Sequence, residues 1–497
     1  MTEAAPRPSP PTYEPDPRRW RALSVTLAAG FMSLLDVSIV SVALPSIQRG
    51  LDASAAEVQW VVSGYALTFG LALVPAGRLG DALGRRRMFL CALGAFVLFS
   101  ALAGLAPTAE TLIAARLAQG VAAGSLAPQN SALIQQLFRG AERGRAFGLF
   151  GATVGISTAV GPIVGGVILA LAGEADGWRW IFYVNIPIGA LALVLAARLL
   201  PRGRTGPRGH IDVLGAALLG GAVLAVLLPL VQAESGGLVR LWWLFPAGAA
   251  LGAAFVLWER RVVRRGRDPL LDVRLLAGTR GYASGVTLGT VYFVGFSGIW
   301  LVFALFFQTG LGYTPLQSGL AVTPFALGSA VSAVIGGRLV DRLGRLLTVI
   351  GLSLVVVGLA TTAVLLLLVP PAAAGGAVAV PLLVAGAGGG WVISPNTTMT
   401  LRHVEVSGAG SAGGALQTGQ RIGAAIGTAG LAGTFYAVLG ATGEDFAVAV
   451  FVAIGTAALA LSLALVIGVL EWLAGRRRAA RAAASPDEDA GHLADPQ

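Results

Sequence analysis

The 497-residue chain contains no lysine, so all 35 of its basic residues other than histidine are arginines. A phosphate loop of the form G-x-x-x-x-G-K-[ST] needs that lysine at the β- and γ-phosphates, and ATP is therefore not expected to drive whatever work the protein does. Cysteine occurs once, at Cys91. One thiol makes neither an internal disulfide nor a metal site, and inside an apolar run it reads as a small packing residue. Three histidines form no cluster with cysteine or carboxylates, so neither a metal centre nor an enzyme is expected. Charged residues are only 12% of the chain, against about 25% in a soluble domain. No cleavage pattern of a secretory signal precedes the first apolar run.

What remains is apolar. Hydrophobic residues make up 55% of the sequence, and the mean hydropathy is +0.77. This is the composition of an all-α integral membrane protein. The net charge of +10 at first suggests a nucleic-acid partner, but its distribution excludes one. Arginines crowd alternate connections: Arg78 to Arg87, Arg139 to Arg145, Arg202 to Arg208, Arg260 to Arg280, Arg338 to Arg345, Arg402, and Arg476 to Arg481. The opposite connections hold Arg49, Arg179 and Arg240, offset by Asp52, Glu174, Asp176 and Glu234. Arginine enrichment marks the cytoplasmic side, so both termini are expected inside, in a cell membrane.

Spanning helices need roughly 20 apolar residues, and the chain divides into about fourteen such runs. The expected organisation is a disordered tail at 1–20, six helices over 21–201, two extra helices within 202–262, a linker at 263–281, six helices over 282–473, and a tail at 474–497. In the linker, Asp268 to Leu276 sets leucines beside charges over two turns, which suits a short amphipathic helix on the inner leaflet.

An internal repeat organises the chain. Gly77-Arg78-Leu79-Gly80-Asp81-Ala82-Leu83-Gly84-Arg85 returns as Gly337-Arg338-Leu339-Val340-Asp341-Arg342-Leu343-Gly344-Arg345. Both read G-R-L-x-D-x-L-G-R and both are too polar for hydrocarbon, so both are expected to be loops. The pattern resembles the loop between helices 2 and 3 of the major facilitator superfamily of secondary transporters. The eight apolar runs between the copies, two more than a plan of two six-helix bundles gives, narrow the resemblance to the fourteen-helix drug:proton antiporter branch. That implies two six-helix bundles plus two central helices. It also implies a latch in which Gly77, Arg78, Asp81, Gly84 and Arg85, with Arg338, Asp341, Gly344 and Arg345, favour one transport state. Asp81 and Asp341 are expected at the starts of the following helices, near a positive dipole end.

Asp36 is the one carboxylate well inside an apolar run. A charge there costs a few kcal/mol, and desolvation favours the protonated acid, so Asp36 is a candidate proton carrier. A structural acid neutralised by a neighbour is the competing reading. Its surroundings, Leu35-Asp36-Val37-Ser38-Ile39-Val40-Ser41-Val42-Ala43-Leu44-Pro45, resemble the branch's L-D-x-T-I-V-N-V-A-L-P, with Ser38 and Ser41 replacing Thr and Asn. Depth proposes the neighbour. Asp36 lies roughly 21 Å up from an inside start near Ala22, and Arg116 roughly 9 Å down from an outside start near Glu110. Arg116 to Gly124 resembles the family's R-x-x-x-G-x-x-x-G, whose arginine is implicated in proton coupling; a fixed ion pair is the alternative.

Gly151, Gly155, Gly161, Pro162 and Gly165 give the fifth run a small-residue face. They resemble the antiporter motif G-x-x-x-G-P-x-x-G-G, and Gly161-Pro162 invites a bend. Gln417, Gln420 and Arg421 share a helix face and are cavity candidates, although Arg421 is equally placed to snorkel to the interface. Trp60, Tyr65, Gln119, Trp300, Gln308 and Asn396 are the other cavity candidates. The resemblance implies a proton-coupled exporter of small amphipathic compounds. It would act as a monomer in the bilayer, with the proton gradient as energy source and no cofactor. Alternatives are a dedicated exporter of one metabolite, lipid or self-made antibiotic, and an uncoupled receptor-like protein.

Overall fold

The computed structural model describes residues 15–173, 176–202 and 212–484. Most of the expected N-terminal tail, the end of the C-terminal tail, Glu174, Arg204, Arg208 and the side chain of Pro162 lie outside the described residues. The fold is helical, with no strand among the described residues. The first half comprises α1 (Arg19–Gly50), α2 (Ala55–Leu83), α3 (Arg85–Gly104), α4 (Ala109–Leu137), α5 (Gly140–Ala172), and a helix broken at Val184 into α6 (Gly177–Tyr183) and α7 (Asn185–Leu199). Between the halves lie α8 (Val213–Val231), α9 (Gly237–Arg240), α10 (Leu244–Arg264) and α11 (Arg274–Gly278). The second half opens with α12 (Tyr282–Phe296) and α13 (Ile299–Ala304), which runs into a π turn at Leu305–Gly310. It continues with α14 (Pro315–Leu343), α15 (Arg345–Leu368), α16 (Ala374–Ala377), α17 (Ala379–Thr400), α18 (Ala409–Ala441) and α19 (Phe446–Ala484).

Among the described residues, eleven helical stretches are long and apolar enough to cross a membrane, and the chain is a multi-pass membrane protein. α4 also has the length, 29 residues, but carries Arg116, Gln119, Gln129, Asn130 and Gln135 on its buried face. The repeat is structural as well as sequential. α2 starts on a capping box between Ser54 and Glu57, and α14 on the matching box between Thr314 and Gln317, each satisfying orphan amides of the first turn.

The repeated segments are not loops. α2 continues to Leu83 and α3 begins at Arg85, so the break is the single residue Gly84, with φ of 100°. Gly344 breaks the second copy in the same way, with φ of 53°. A left-handed backbone admits glycine without the Cβ penalty, so one residue makes the turn and the polar side chains ride on helix ends. The linker also departs from expectation. Only Arg274–Gly278 is helical, and Leu270 and Leu271 are buried against Val74 and Phe255 instead of lying on lipid. Asp272 hydrogen-bonds Arg274, whose guanidinium holds that carboxyl below its usual range. Cys91, expected to be packed inside, is exposed on the surface of α3.

The halves meet at the end that carries the repeated segments. Gly77 of α2 lies against the Gly410 carbonyl of α18, where an added Cβ would collide. Gly144 of α5 meets Gly337 of α14 in the same fashion. Arg85 donates to the Val406 carbonyl, and Gln417 donates to Ser131 Oγ at 3.1 Å. Toward the other end α5 changes partner, with Gly161 against Ser38 and Gly165 against Ile39 of α1. α8 and α10 pack on each other, and α8 lies against α2 and α18 along the seam between the halves.

Candidate functional site

Asp36 sits midway along α1 and is 1% exposed. Its Oδ2 accepts from Arg116 Nη1 at 2.5 Å, across from α4. Arg116 is also 1% exposed. Its Nε donates to the Val61 carbonyl at 3.1 Å, and its Nη1 to Gln119 Oε1 at 2.7 Å. The guanidinium lies 4.1 Å above the Tyr65 ring and 5.7 Å from that of Phe182. Gln119 Nε2 then donates to Asp36 Oδ1 at 3.2 Å. A buried pair of this kind is tolerated only when its remaining donors and acceptors are bonded, and here carbonyl, amide and aromatic face do so.

The sequence alone does not single out two members of this cluster. Asn185, the first residue of α7, donates from Nδ2 to Asp36 Oδ1 at 2.9 Å and to Ser100 Oγ at 3.0 Å. Ser100 Oγ in turn donates to the Phe182 carbonyl at 2.9 Å. An amide amid the apolar run after Trp178 is the only local signal for Asn185.

Several cavity candidates are held otherwise. Tyr65 is buried in the first bundle with its hydroxyl on the Ser33 carbonyl at 3.2 Å. Asn396 is buried, accepts from Arg345 Nη1 at 2.5 Å and donates to the Gly285 carbonyl. Arg421 does not snorkel: its guanidinium stacks 4.3 Å over Phe69 of α2, in the other half. Gln420 lies beside Asn396 where both approach Gly289. Trp60 packs toward α8, Trp300 packs among Phe296, Phe303 and Phe325, and Gln308 is exposed in the π turn.

The two repeated segments diverge. Asp81 pairs with Arg85 at 3.0 Å and accepts from the Gly410 and Ser411 amides at 3.1 and 3.0 Å. The dipole end it serves is therefore that of α18, in the opposite half, and not that of α3. Arg78 reaches Asp268 in the linker at 3.4 Å. In the second copy Arg345 turns to Glu471 of α19 at 2.8 Å, and among the described residues Asp341 forms no ion pair. A further buried carboxyl, Glu259, lies beside Asp212 where both approach Gly215, and accepts from the Leu270 amide at 3.3 Å. Asp212 also receives the Trp258 indole at 2.8 Å.

The family model described as Major Facilitator Superfamily matches residues 26–306 and again 285–494. The chain belongs to that superfamily. It is thus a membrane transporter and not an enzyme. It is 37% identical over 433 residues to a probable actinorhodin transporter of Streptomyces coelicolor, covering 87% of this chain and 74% of that protein. It is 34% identical to the multidrug resistance protein Stp of Mycobacterium tuberculosis, covering 83% and 75%. The fold is also that of the human organic anion transporter MFSD10, with a TM-score of 0.65 at 17% identity, covering 91% of this chain and all of that one.

Proposed function

We propose that this major facilitator protein is a proton-coupled antiporter that exports small amphipathic compounds by alternating access. The observation that carries the reading is the Asp36–Arg116 pair. It is a fully buried carboxylate whose cation stays charged, set between two helices that can separate. A proton arriving at Asp36 removes the charge that Arg116 holds, and the two helices lose their tie. Deprotonation on the other side restores it. Adding α4, α5 and α10 to the eleven apolar helices gives fourteen spans. The arginine-rich end is assigned to the cytoplasm on the charge rule, with both termini inside and the protein in the cell membrane. On that assignment the arrangement is closed inward, and Asp81 on the start of α18 is the latch that holds it. The proton gradient supplies the energy without a cofactor, and a single chain suffices. Similarity to the actinorhodin transporter supports a second reading, a dedicated exporter of one product.

The test uses everted vesicles energised by a pH gradient, with ethidium as a monocationic probe. Asp36→Asn fills the same space without an ionisable proton, so it is expected to reach the membrane at normal levels and lose gradient-driven accumulation. Uphill accumulation by that variant at the wild-type rate would exclude Asp36 as the carrier.

A further inference from the structure

The geometry points to Asn185 as a positioning residue that, locked by Ser100, keeps an N–H donor on Asp36 Oδ1 and ties α1 to α7. The inference rests on the coupling role just proposed for Asp36, and it deepens that role. The reasoning begins with which atoms can donate. The Ser100 hydroxyl has one proton, and it is used on the Phe182 carbonyl at 2.9 Å. Toward Asn185, 3.0 Å away, Ser100 can therefore only accept. That fixes the amide's orientation: its NH2 must face Ser100, and the same nitrogen then presents its second hydrogen to Asp36 Oδ1 at 2.9 Å. Asn185 is 1% exposed and Ser100 is fully buried, so no solvent competes for these groups.

The other side chains that face Asp36 are donors too. Arg116 from α4 gives Nη1 to Oδ2, and Gln119 gives Nε2 to Oδ1. Gln119 is held in that sense because its Oε1 already accepts from Arg116. From α2, Tyr65 faces Arg116 with its ring and sends its hydroxyl proton to Ser33. Each of these polar partners of the carboxylate is thus a donor. A protonated Asp36 needs an acceptor for its own O–H. Asn185 cannot become one while Ser100 keeps its orientation, so a proton is taken up on Oδ2, on the side of the α1–α4 pair, and Oδ1 goes on accepting from Asn185 in a weaker bond to the neutral acid. Asn185 begins α7 directly after the break at Val184, so the contact lies where the helix is already divided.

Infrared difference spectroscopy on the full-length protein in liposomes tests this without any substrate. The carboxylic-acid C=O band of Asp36 is followed against pH and identified by its loss in Asp36→Asn. With Asn185→Leu the midpoint of that band is expected at higher pH, corresponding to about tenfold tighter proton binding, since one hydrogen bond to the charged form is gone. Ser100→Ala frees the amide to turn and is expected to move the midpoint the same way, by less. It also serves if Asn185→Leu does not fold. Ser100→Thr, which keeps the hydroxyl, is expected to titrate as the wild type. A midpoint unchanged or lowered in both Asn185→Leu and Ser100→Ala would reduce Asn185 to packing and overturn the inference while leaving Asp36 as carrier. Absence of any Asp36-dependent band would overturn the coupling role itself, and this inference with it.

Discussion

Arg116 has no neutral form at physiological pH, so its removal leaves a buried carboxylate unmatched. Arg116→Ala is expected to destabilise the protein by about 3–5 kcal/mol, read as a clear fall in thermal midpoint in detergent. Adding Asp36→Asn to that variant is expected to recover part of the loss, because the orphaned charge goes too. A double variant no more stable than Arg116→Ala alone would show that the two side chains do not support each other. This pair was legible in the sequence because each residue lies a countable distance from a visible helix end. Asn185 was not, since its partner is 149 positions away and nothing in its neighbourhood names Asp36. Arg421 shows the same limit. Its helix face is readable from spacing, but Phe69, the ring it covers, belongs to an element in the other half.

α5 illustrates what periodicity conveys about an element and what it omits. Its glycines announce close packing, yet not that the helix begins against α14 and finishes against α1. A Cβ at Gly161 would meet Ser38, side chain and backbone together, whereas Gly166 has open space around it. Gly161→Ala is accordingly expected to force α1 and α5 apart and cost about 1–3 kcal/mol. Gly166→Ala should leave the thermal midpoint unchanged or slightly raised, because alanine is the better helix former. Equal midpoints for the two variants would mean that α5 does not bear on α1 at this point. Polarity alone does not separate a helix end from a turn, so the sequence reads the polar ends of α2 and α14 as loops. Gly84 and Gly344 carry the whole reversal.

For the molecule as a whole, the repeat is honest about architecture and misleading about energetics. Two copies of one motif suggest two equal latches, but their aspartates differ: Asp81 bonds the Gly410 and Ser411 amides of α18 in the other half, whereas among the described residues Asp341 forms no ion pair. Asp81→Ala is expected to slow transport severalfold at matched expression while substrate still binds, through a shift in the balance of the two open states. Asp341→Ala should transport at nearly the wild-type rate, as no ion pair is lost. Equal slowing by both substitutions would restore the symmetric picture. The divergence traces to single partners outside the motif, Glu471 and Asn396, which draw Arg345 away. The segment at 267–273 carries a different lesson. By composition it is a spacer, the obvious place to divide the gene and express two pieces. Yet Leu270 and Leu271 are seated under α2 and α10, the Leu270 amide serves the buried Glu259, and Asp268 holds Arg78. A cut there would unseat two leucines and strip a buried acid of its donor, so the chain is least divisible where its sequence most resembles a joint.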